Sequence, residues 1–360
     1  MKFSIFCLIT FSLGLAALEP AFAKNASSEE KILKAWLSSP HADAKSESFR
    51  HWDKDKEIMG ACAVCHSTTG VVKYLNAPIT KPGVIDHPVP IGVTIECAAC
   101  HSDGAKKLKS IVFPSNVQVS VSNSSAICSV CHQGRASMIQ VNDSVAKFSE
   151  DDVSKDIKFI NVHYSAAAAT QLGSEVKGGY QYPDLNYAGA FKHVPNLNTC
   201  VACHDPHTTK VELGQCTACH QDVTDFRAIR TTPLDILGDS NKTAGIGEVI
   251  TQLHDRLDAA IRIYATQIGK KSIVYSEHTY PYYFNDLDES GIAEEAEAAF
   301  PNRYQNWTPR LLKAAYNYQF VAKDKGAFSH NPHYVIQLMI DSIRDLAKVA
   351  EIDIKGLDRP

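Results

Sequence analysis

The sequence predicts a mostly α-helical protein with much irregular coil, in which a cysteine- and histidine-rich segment is followed by a helical C-terminal domain. Two observations predict this fold class. One short cysteine–histidine motif recurs five times between residues 62 and 220. Beyond residue 245, apolar residues recur at the three- and four-residue spacing of amphipathic helices. The prediction therefore divides the chain into a leader at 1–23, a motif-bearing domain at 24–230 and a helical domain at 231–360.

The composition limits the classes of protein to which the chain can belong. Of 360 residues, 44% are hydrophobic and 21% are charged, which excludes a wholly disordered chain. The formal net charge is −4, and lysine and arginine form no continuous run. Nucleic acids and anionic membrane surfaces attract basic proteins, so this balance argues against either as the main partner.

The first 23 residues have the pattern of a secretory signal peptide. Lys2 provides a positive charge, residues 3–18 form an apolar run, and residues 21–23 (Ala-Phe-Ala) match an A-x-A cleavage site. A membrane-spanning helix needs about 20 apolar residues, and this run is shorter. We therefore predict a mature protein that is periplasmic, or secreted to the cell surface, and that does not span the membrane; the alternative is an uncleaved anchor.

Cleavage removes Cys7 and leaves ten cysteines, all of which belong to five Cys-x-x-Cys-His motifs. This spacing is the attachment motif for c-type haem, in which two thiols form thioethers with the porphyrin and the histidine ligates the iron. Disulfides do not require a histidine after every pair, and a zinc ribbon does not require export. The sequence therefore predicts five haem c groups. The predicted attachment cysteines and proximal iron ligands are Cys62, Cys65 and His66; Cys97, Cys100 and His101; Cys128, Cys131 and His132; Cys200, Cys203 and His204; and Cys216, Cys219 and His220.

The density of motifs predicts how the first domain is built. From residue 29 to residue 223 there is one motif for about 40 residues, which is too little chain for each haem to have its own domain. We therefore expect a haem-packed segment with sparse regular structure. A short helix at 29–37 and strand-like runs at 89–96 and 117–121 are the predicted exceptions.

The last third of the chain carries three apolar stripes at helical spacing. Such stripes are more typical of helices packed on one another than of a cofactor site. They predict a helical domain beside the haem-packed segment. The stripes are Ile246, Val249, Ile250, Leu253, Leu257, Ala260, Ile261 and Ala265; Leu311, Leu312, Ala315, Tyr318 and Val321; and Val335, Met339, Ile343, Leu346 and Ala350.

The residues available as sixth iron ligands favour electron transfer over catalysis. Ten histidines remain outside the motifs, whereas methionine is scarce. Bis-histidine ligation is therefore predicted for most sites, and His/Met haem, the higher-potential kind, is not. A six-coordinate iron has no vacancy for a substrate.

Seven histidines are candidates for the distal ligands. His207 follows His204 by three residues and cannot reach the opposite face of the same iron, so it would serve another haem. The principal candidates are His41, His51, His163, His193 and His207. Two further candidates are His330 and His87. The alternative for His330 is a place in an ordinary helix start, and the alternative for His87 is an exposed or hydrogen-bonded histidine.

Several stretches carry a resemblance to a known group. They are 128–135 (Cys-Ser-Val-Cys-His-Gln-Gly-Arg), 161–164 (Asn-Val-His-Tyr), 177–180 (Lys-Gly-Gly-Tyr) and 200–207 (Cys-Val-Ala-Cys-His-Asp-Pro-His). Over roughly residues 40–225 the chain resembles exported bacterial multihaem cytochromes c related to proteins that polymerise into extracellular cytochrome filaments. The resemblance implies bis-histidine haems in a row, electron delivery to partners or external acceptors, and axial roles for His163, His193 and His207.

A second resemblance concerns the tail. Residues 311–318 and the sequence His-Asn-Pro at 330–332 are similar to the helical end of the nitrite reductase and hydroxylamine oxidoreductase group. The chain lacks the Cys-x-x-Cys-Lys variant found at the active site of the usual nitrite reductases, and five motifs depart from the counts of those families.

An acidic loop in the tail fits a twelve-residue calcium loop. Oxygen ligands recur at positions 1, 3, 5, 7, 9 and 12, and Gly291 stands at position 6, where the turn needs glycine. Ala293, at position 8, departs from the usual apolar residue there. The alternative is a solvated acidic turn. The candidate calcium ligands are Asp286, Asp288, Ser290, Ile292 through its carbonyl, Glu294 and Glu297.

Three functional hypotheses follow from these features. The first is a non-enzymatic electron carrier with redox-protein donors and acceptors. The second is a multihaem oxidoreductase of small nitrogen or sulfur compounds, which needs one open iron. The third is a filament subunit, a homopolymer in which a neighbouring copy supplies one sixth ligand.

Overall fold

The computed structural model describes residues 27–77, 81–163, 165–195 and 197–360. The predicted leader at 1–23 lies outside these residues, as does Tyr164. The described chain is mostly helical with much coil and three small sheets, which confirms the predicted fold class. Within these ranges, no helix is long and apolar enough to cross a membrane.

The α-helices are short before residue 230 and longer after it. They are α1 Ser28–Leu37, α2 Glu47–Arg50, α3 Gly60–His66, α4 Thr68–Asn76, α5 Cys97–His101, α6 Asp103–Lys107, α7 Asn123–Cys131, α8 Met138–Val145, α9 Ala167–Leu172, α10 Cys200–Cys203, α11 Ile246–Gln267, α12 Pro309–Ala322, α13 Ala327–His330 and α14 Pro332–Leu346. The strands are β1 Glu57–Ile58, β2 Val89–Pro90, β3 Ser110–Val112, β4 Gln118–Ser120, β5 Ile273–Tyr275 and β6 Tyr283–Asn285.

The strands form three two-stranded antiparallel sheets, β1 with β2, β3 with β4, and β5 with β6. The helix predicted at 29–37 is α1, whose first turn is closed by a capping box between Ser27 and Glu30. The strand predicted at 89–96 is only two residues long. It ends because Pro90 lacks an amide hydrogen and Gly92 has a φ of +93°.

The helical tail is built on three helices, α11, α12 and α14, packed against one another. Leu257, Leu311 and Leu338, one from each helix, are fully buried. Helix α12 begins at an N-cap, Thr308, with proline at the first helical position, and α14 begins in the same way at Asn331. The predicted apolar stripes therefore form the interior of this bundle.

Two stretches of the chain, at Asp151 and at Tyr180, join the motif-bearing segment to the tail. The Arg310 side chain on α12 contacts both carboxylate oxygens of Asp151, at 2.7 and 3.0 Å. The Asn317 side chain accepts from the Tyr180 amide at 2.6 Å and donates to its carbonyl at 2.9 Å. The buried apolar residues on both sides of residue 230 form one hydrophobic core.

Candidate haem-binding site

All five motifs adopt a helical turn, which presents both cysteines and the histidine to one side. In the third, fourth and fifth motifs the histidine amide donates to the carbonyl of the first cysteine at 2.8–2.9 Å. Cysteines three residues apart lie on the same face of such a turn. The ten thiols form no disulfides. Each motif therefore offers two free sulfurs and one imidazole in the arrangement that haem attachment requires.

The five motifs line one continuous cavity of about 2460 Å³. Ordinary small-molecule sites have volumes of about 300–1,000 Å³. All ten motif cysteines and all five motif histidines contact this cavity, together with apolar and aromatic side chains such as Trp52 and Phe191. Its volume and lining fit several large, flat, mainly apolar groups.

Each motif histidine faces one histidine from elsewhere in the chain. A metal–imidazole bond of about 2.0 Å on each side, with about 1.1 Å from each nitrogen to its ring centre, separates two ring centres on one metal by about 6.2 Å. The observed separations match this value, so the residues present fit haem irons ligated by two histidines. The pairs and their centre-to-centre distances are His66–His163 at 6.0 Å, His101–His207 at 6.3 Å, His132–His41 at 6.4 Å, His204–His330 at 6.4 Å and His220–His193 at 6.0 Å.

Three of these imidazoles are oriented by hydrogen bonds at Nδ1. The bonds join His66 to the Ser48 carbonyl oxygen at 2.8 Å, His204 to the Thr209 carbonyl oxygen at 2.9 Å, and His330 to both Asp324 carboxylate oxygens at 2.9 Å. A partner at one ring nitrogen fixes the tautomer and the ring orientation, and it leaves the other nitrogen for a metal.

Burial keeps several of the paired imidazoles neutral. Burial, together with a smaller effect from the neighbouring His41, lowers the pKa of His132 to about 4. Burial also lowers the pKa of His163 to about 4, with a smaller effect from the Arg135 guanidinium. The same cause lowers the pKa of His41 and of His66. Because a metal binds the unprotonated nitrogen, these shifts favour the ligating form at neutral pH.

The partner histidines come from structurally different positions. His41 lies in a 3₁₀ turn after α1, and His330 is the last residue of α13. His163 has a φ of +65° and donates its amide to the Asn161 side chain at 2.9 Å. The preceding amide, of Val162, donates to the Gln319 side chain on α12 at 2.8 Å. The tail therefore takes part in positioning two of the five pairs.

The other two candidate ligands have different surroundings. The His51 Nδ1 lies 2.9 Å from a Glu47 carboxylate oxygen, and its ring packs edge-on against Trp52. His87 contacts the carboxylate of Asp86 and, at 2.9 Å, the Lys73 amine. His51 touches the cavity wall, whereas His87 does not line it. Neither ring belongs to the five pairs that the described residues form.

The third motif lies between the first and the fourth. The Cys131 thiol donates to the Val64 carbonyl of the first motif at 3.7 Å. Nearer the start of α7, the amide of Cys200 in the fourth motif donates to the Ser125 hydroxyl at 3.0 Å. The third motif therefore contacts both the first and the fourth.

Asp324 and Gln319 contribute to the site but were not among the candidates from sequence. Asp324 orients the His330 ring, and Gln319 fixes the backbone beside His163. Both residues lie in or after α12, where the apolar stripe dominates the sequence pattern. Their partners are in other elements, so no local motif indicates these roles.

The predicted calcium loop lies in the tail, between β6 and α12. Asp286, Asp288 and Glu297 bring carboxylate oxygens within 4.8 Å of one another. The Ser290 hydroxyl donates to the Ile292 carbonyl at 3.2 Å and contacts a Glu294 carboxylate oxygen at 3.1 Å. The predicted ligands are thus close together in space.

The chain is similar to curated proteins of one kind. It is 25% identical, over 93% of its length, to a C-type polyheme cytochrome, OmcC, of Geobacter sulfurreducens. It is 22% identical, over 84% of its length, to C-type polyheme cytochromes OmcB from two strains of that organism. The chain spans about half the length of these relatives, 48% and 46% respectively. No protein-family profile and no solved structure match it.

Proposed function

We propose that this chain, a homologue of polyhaem c-type cytochromes, carries five covalently attached haems and transfers electrons between redox partners outside the cytoplasm. One observation carries the proposal: each of five motif histidines faces a second histidine at 6.0–6.4 Å, the separation of two imidazoles on one iron. When bound, the haems supply one-electron redox chemistry.

The proposed ligand set follows the five ring pairs. The proximal ligands are the motif histidines His66, His101, His132, His204 and His220. Their distal partners, in the same order, are His163, His207, His41, His330 and His193. This set includes His330 and omits His51 and His87. The surroundings of His51 and His87 favour ordinary hydrogen-bonding roles for both side chains.

The residues around the irons favour a carrier over an enzyme. A substrate-converting iron needs an open coordination position, and five pairs provide two imidazoles for every motif. Histidine rather than methionine as the sixth ligand favours low reduction potentials. Because all five pairs form within one chain, the ligand set does not require a neighbouring copy. These points support a carrier more than they support an oxidoreductase or a filament subunit.

The proposed location rests on the sequence. The predicted signal peptide at 1–23 would direct export, and thioether attachment of haem is consistent with an exported protein. Donors and acceptors would be redox proteins that approach the haem-bearing face. Ten haem propionates would make the holoprotein more acidic than the polypeptide, which favours basic patches on those partners.

Two measurements on the purified holoprotein test this function. The mass of the denatured protein is expected to exceed that of the mature polypeptide by five haems. Near-infrared and low-temperature magnetic spectra are expected to show low-spin bis-histidine iron at every site. A mass with fewer haems, or a high-spin iron that binds carbon monoxide or nitrite, would overturn the carrier with five closed sites.

The ligand assignment is tested by a matched pair of variants. His330→Ala is expected to produce one high-spin haem that binds carbon monoxide when reduced. His51→Ala, also at the cavity wall, is expected to leave all five sites low-spin. If His51→Ala opened a site and His330→Ala did not, the proposed ligand set would be wrong.

A further inference from the structure

The loop from Asp286 to Glu297 has an unusual concentration of buried carboxylates. It follows β6 directly and precedes the 3₁₀ turn before α12. Asp286 and Glu297, at its two ends, are only 6% and 5% exposed. Charged side chains are rarely buried to this extent unless they are paired or bind a metal.

Each of these two carboxylates has one oxygen satisfied and one without a partner. Asp286 Oδ2 accepts from the Gly291 amide at 3.0 Å, and Glu297 Oε1 accepts from the Leu287 amide at 2.5 Å. The remaining oxygens, Asp286 Oδ1 and Glu297 Oε2, are fully buried and have no hydrogen-bond partner among the described residues. A buried anionic oxygen without a partner is a position that a bound cation can satisfy.

The neighbouring charges increase the need for such a cation. Asp288 adds a third carboxylate, and one oxygen each of Asp286, Asp288 and Glu297 lie within 4.8 Å of one another. The Arg262 guanidinium packs against Gly291, but it already pairs with Asp258 at 2.9 Å.

The backbone of the loop is shaped for a compact oxygen shell. Gly291 has a φ of +74°, which other residues adopt at a cost. The Ser290 hydroxyl lies beside both the Ile292 carbonyl and the Glu294 carboxylate. At the base of the loop, the side chains of Asn285 and Asn302 donate to each other's carbonyl oxygens at 3.0 and 2.8 Å. The ends are therefore held together independently of any ion.

We propose that this loop binds one calcium ion, which the unpartnered oxygens of Asp286 and Glu297 ligate together with Asp288, Ser290 and the Ile292 carbonyl. Calcium takes six to eight oxygen ligands in flexible geometry, whereas magnesium requires a strict octahedron and zinc prefers nitrogen and sulfur. An irregular, all-oxygen set with two buried carboxylates therefore selects calcium. The bound ion would fasten the β5–β6 hairpin to the start of α12.

The test is calorimetric titration of calcium chloride into holoprotein stripped with a chelator, with thermal unfolding in parallel. One site is expected, with a higher unfolding midpoint when calcium is present. Glu297→Gln is expected to weaken calcium binding at least 10-fold, and Asp288→Asn, at an exposed position, provides a second variant that removes a ligand without opening the core. Glu295→Gln, an exposed residue of the same loop outside the ligand set, is expected to bind calcium normally.

In the holoprotein, calcium could also bind to the haem propionates, which are carboxylates. The loop variants distinguish the two, because they change only the carboxylates of the loop. Calcium binding that Glu297→Gln and Asp288→Asn both leave unchanged would overturn the proposal. So would a titration without binding at millimolar calcium, or equal affinity for magnesium chloride.

Discussion

Residues 27–230 and residues 231–360 differ in how their interiors are filled. In the first range the longest helix has 10 residues, whereas three helices of the second range have 22, 14 and 15. The first range encloses most of a cavity of about 2460 Å³, and the second has a core of closely packed leucine, isoleucine and aromatic side chains. The comparison indicates that the motif-bearing range leaves a large cavity beside its part of the common hydrophobic core, whereas the tail fills its interior with its own side chains.

The largest expected effect comes from removing the haem proposed at the third motif. The double variant Cys128→Ala/Cys131→Ala would lose attachment at the third motif, which contacts the first and fourth motifs. Because ligand binding stabilises the folded state, we expect early proteolysis throughout residues 27–149, with α11, α12 and α14 protected. Limited proteolysis with mass spectrometry measures this.

The control for that variant is Cys216→Ala/Cys219→Ala in the fifth motif, where Cys219 is exposed. It would also carry four haems, but its cleavage should be confined to residues near the fifth motif. Equal, widespread cleavage in the two variants would contradict a central role for the third motif.

Truncating one buried side chain in the core of the tail should have a different result. Leu311 on α12 is fully buried, so Leu311→Ala is expected to lower the free energy of unfolding by about 2–5 kcal/mol while all five haems remain attached. Denaturant unfolding followed by circular dichroism measures the loss. Leu185→Ala, at a side chain 45% exposed, should change it by less than about 0.5 kcal/mol. A lower haem count in Leu311→Ala would show that the two interiors are not separable.

A smaller effect is expected where the tail supports His163, a proposed iron ligand. Gln319→Met leaves the buried Val162 amide without its acceptor, which should cost about 1–3 kcal/mol of folding stability. The adjacent His163 should also lose its fixed orientation, and magnetic spectra of one low-spin iron should change.

Gln337→Met is the matched variant, since Gln337 also accepts from a backbone amide, that of Ala188 at 2.8 Å, which is not adjacent in sequence to a paired histidine. It should lose comparable stability without a spectral change. Identical spectra for Gln319→Met and the parent protein would show that Gln319 does not help to orient His163.

The smallest effect concerns acid. Hydrogen bonds from Arg310 lower the pKa of the Asp151 carboxyl below its usual value. Because the folded-state pKa is the lower one, this contact stabilises the protein above the unfolded-state pKa, and the contribution is lost as pH falls through the folded-state value. Asp151 is about one-third exposed, so we expect less than about 1 kcal/mol. Between pH 7 and about pH 3, the free energy of unfolding should depend less on pH in Asp151→Asn than in the parent protein. The same pH dependence in both proteins would contradict the assignment.

Much of this architecture follows from local sequence. The helices of the tail are recognisable because their apolar positions repeat within one element, and Thr308 and Asn331 lie where helices start. The attachment motifs are equally local, since two cysteines and a histidine occupy five consecutive positions. These features require no knowledge of which segments meet.

The ring pairs can be predicted only if it is known which distant segments contact each other, and no local pattern in the sequence indicates those contacts. His51 lies close to the first motif in the chain, yet its ring contacts Glu47 and Trp52, while the ring opposite His66 is that of His163. His330 lies in the tail, at a helix start that already explains the nearby asparagine and proline. Long-range packing, rather than proximity in sequence, decides these pairs.

The interleaving of the pairs has a consequence for how the protein matures. Under the proposed ligand set, the first motif is closed by His163, about 100 residues later in the chain, and the fourth by His330, more than 120 residues later. A polypeptide exported from its N-terminus would therefore receive its porphyrins while several irons still lacked their second axial bond. The fourth iron would gain its second histidine only after α13 had been exported. A product truncated before α13 would therefore bind its haems but leave that iron with an open coordination position.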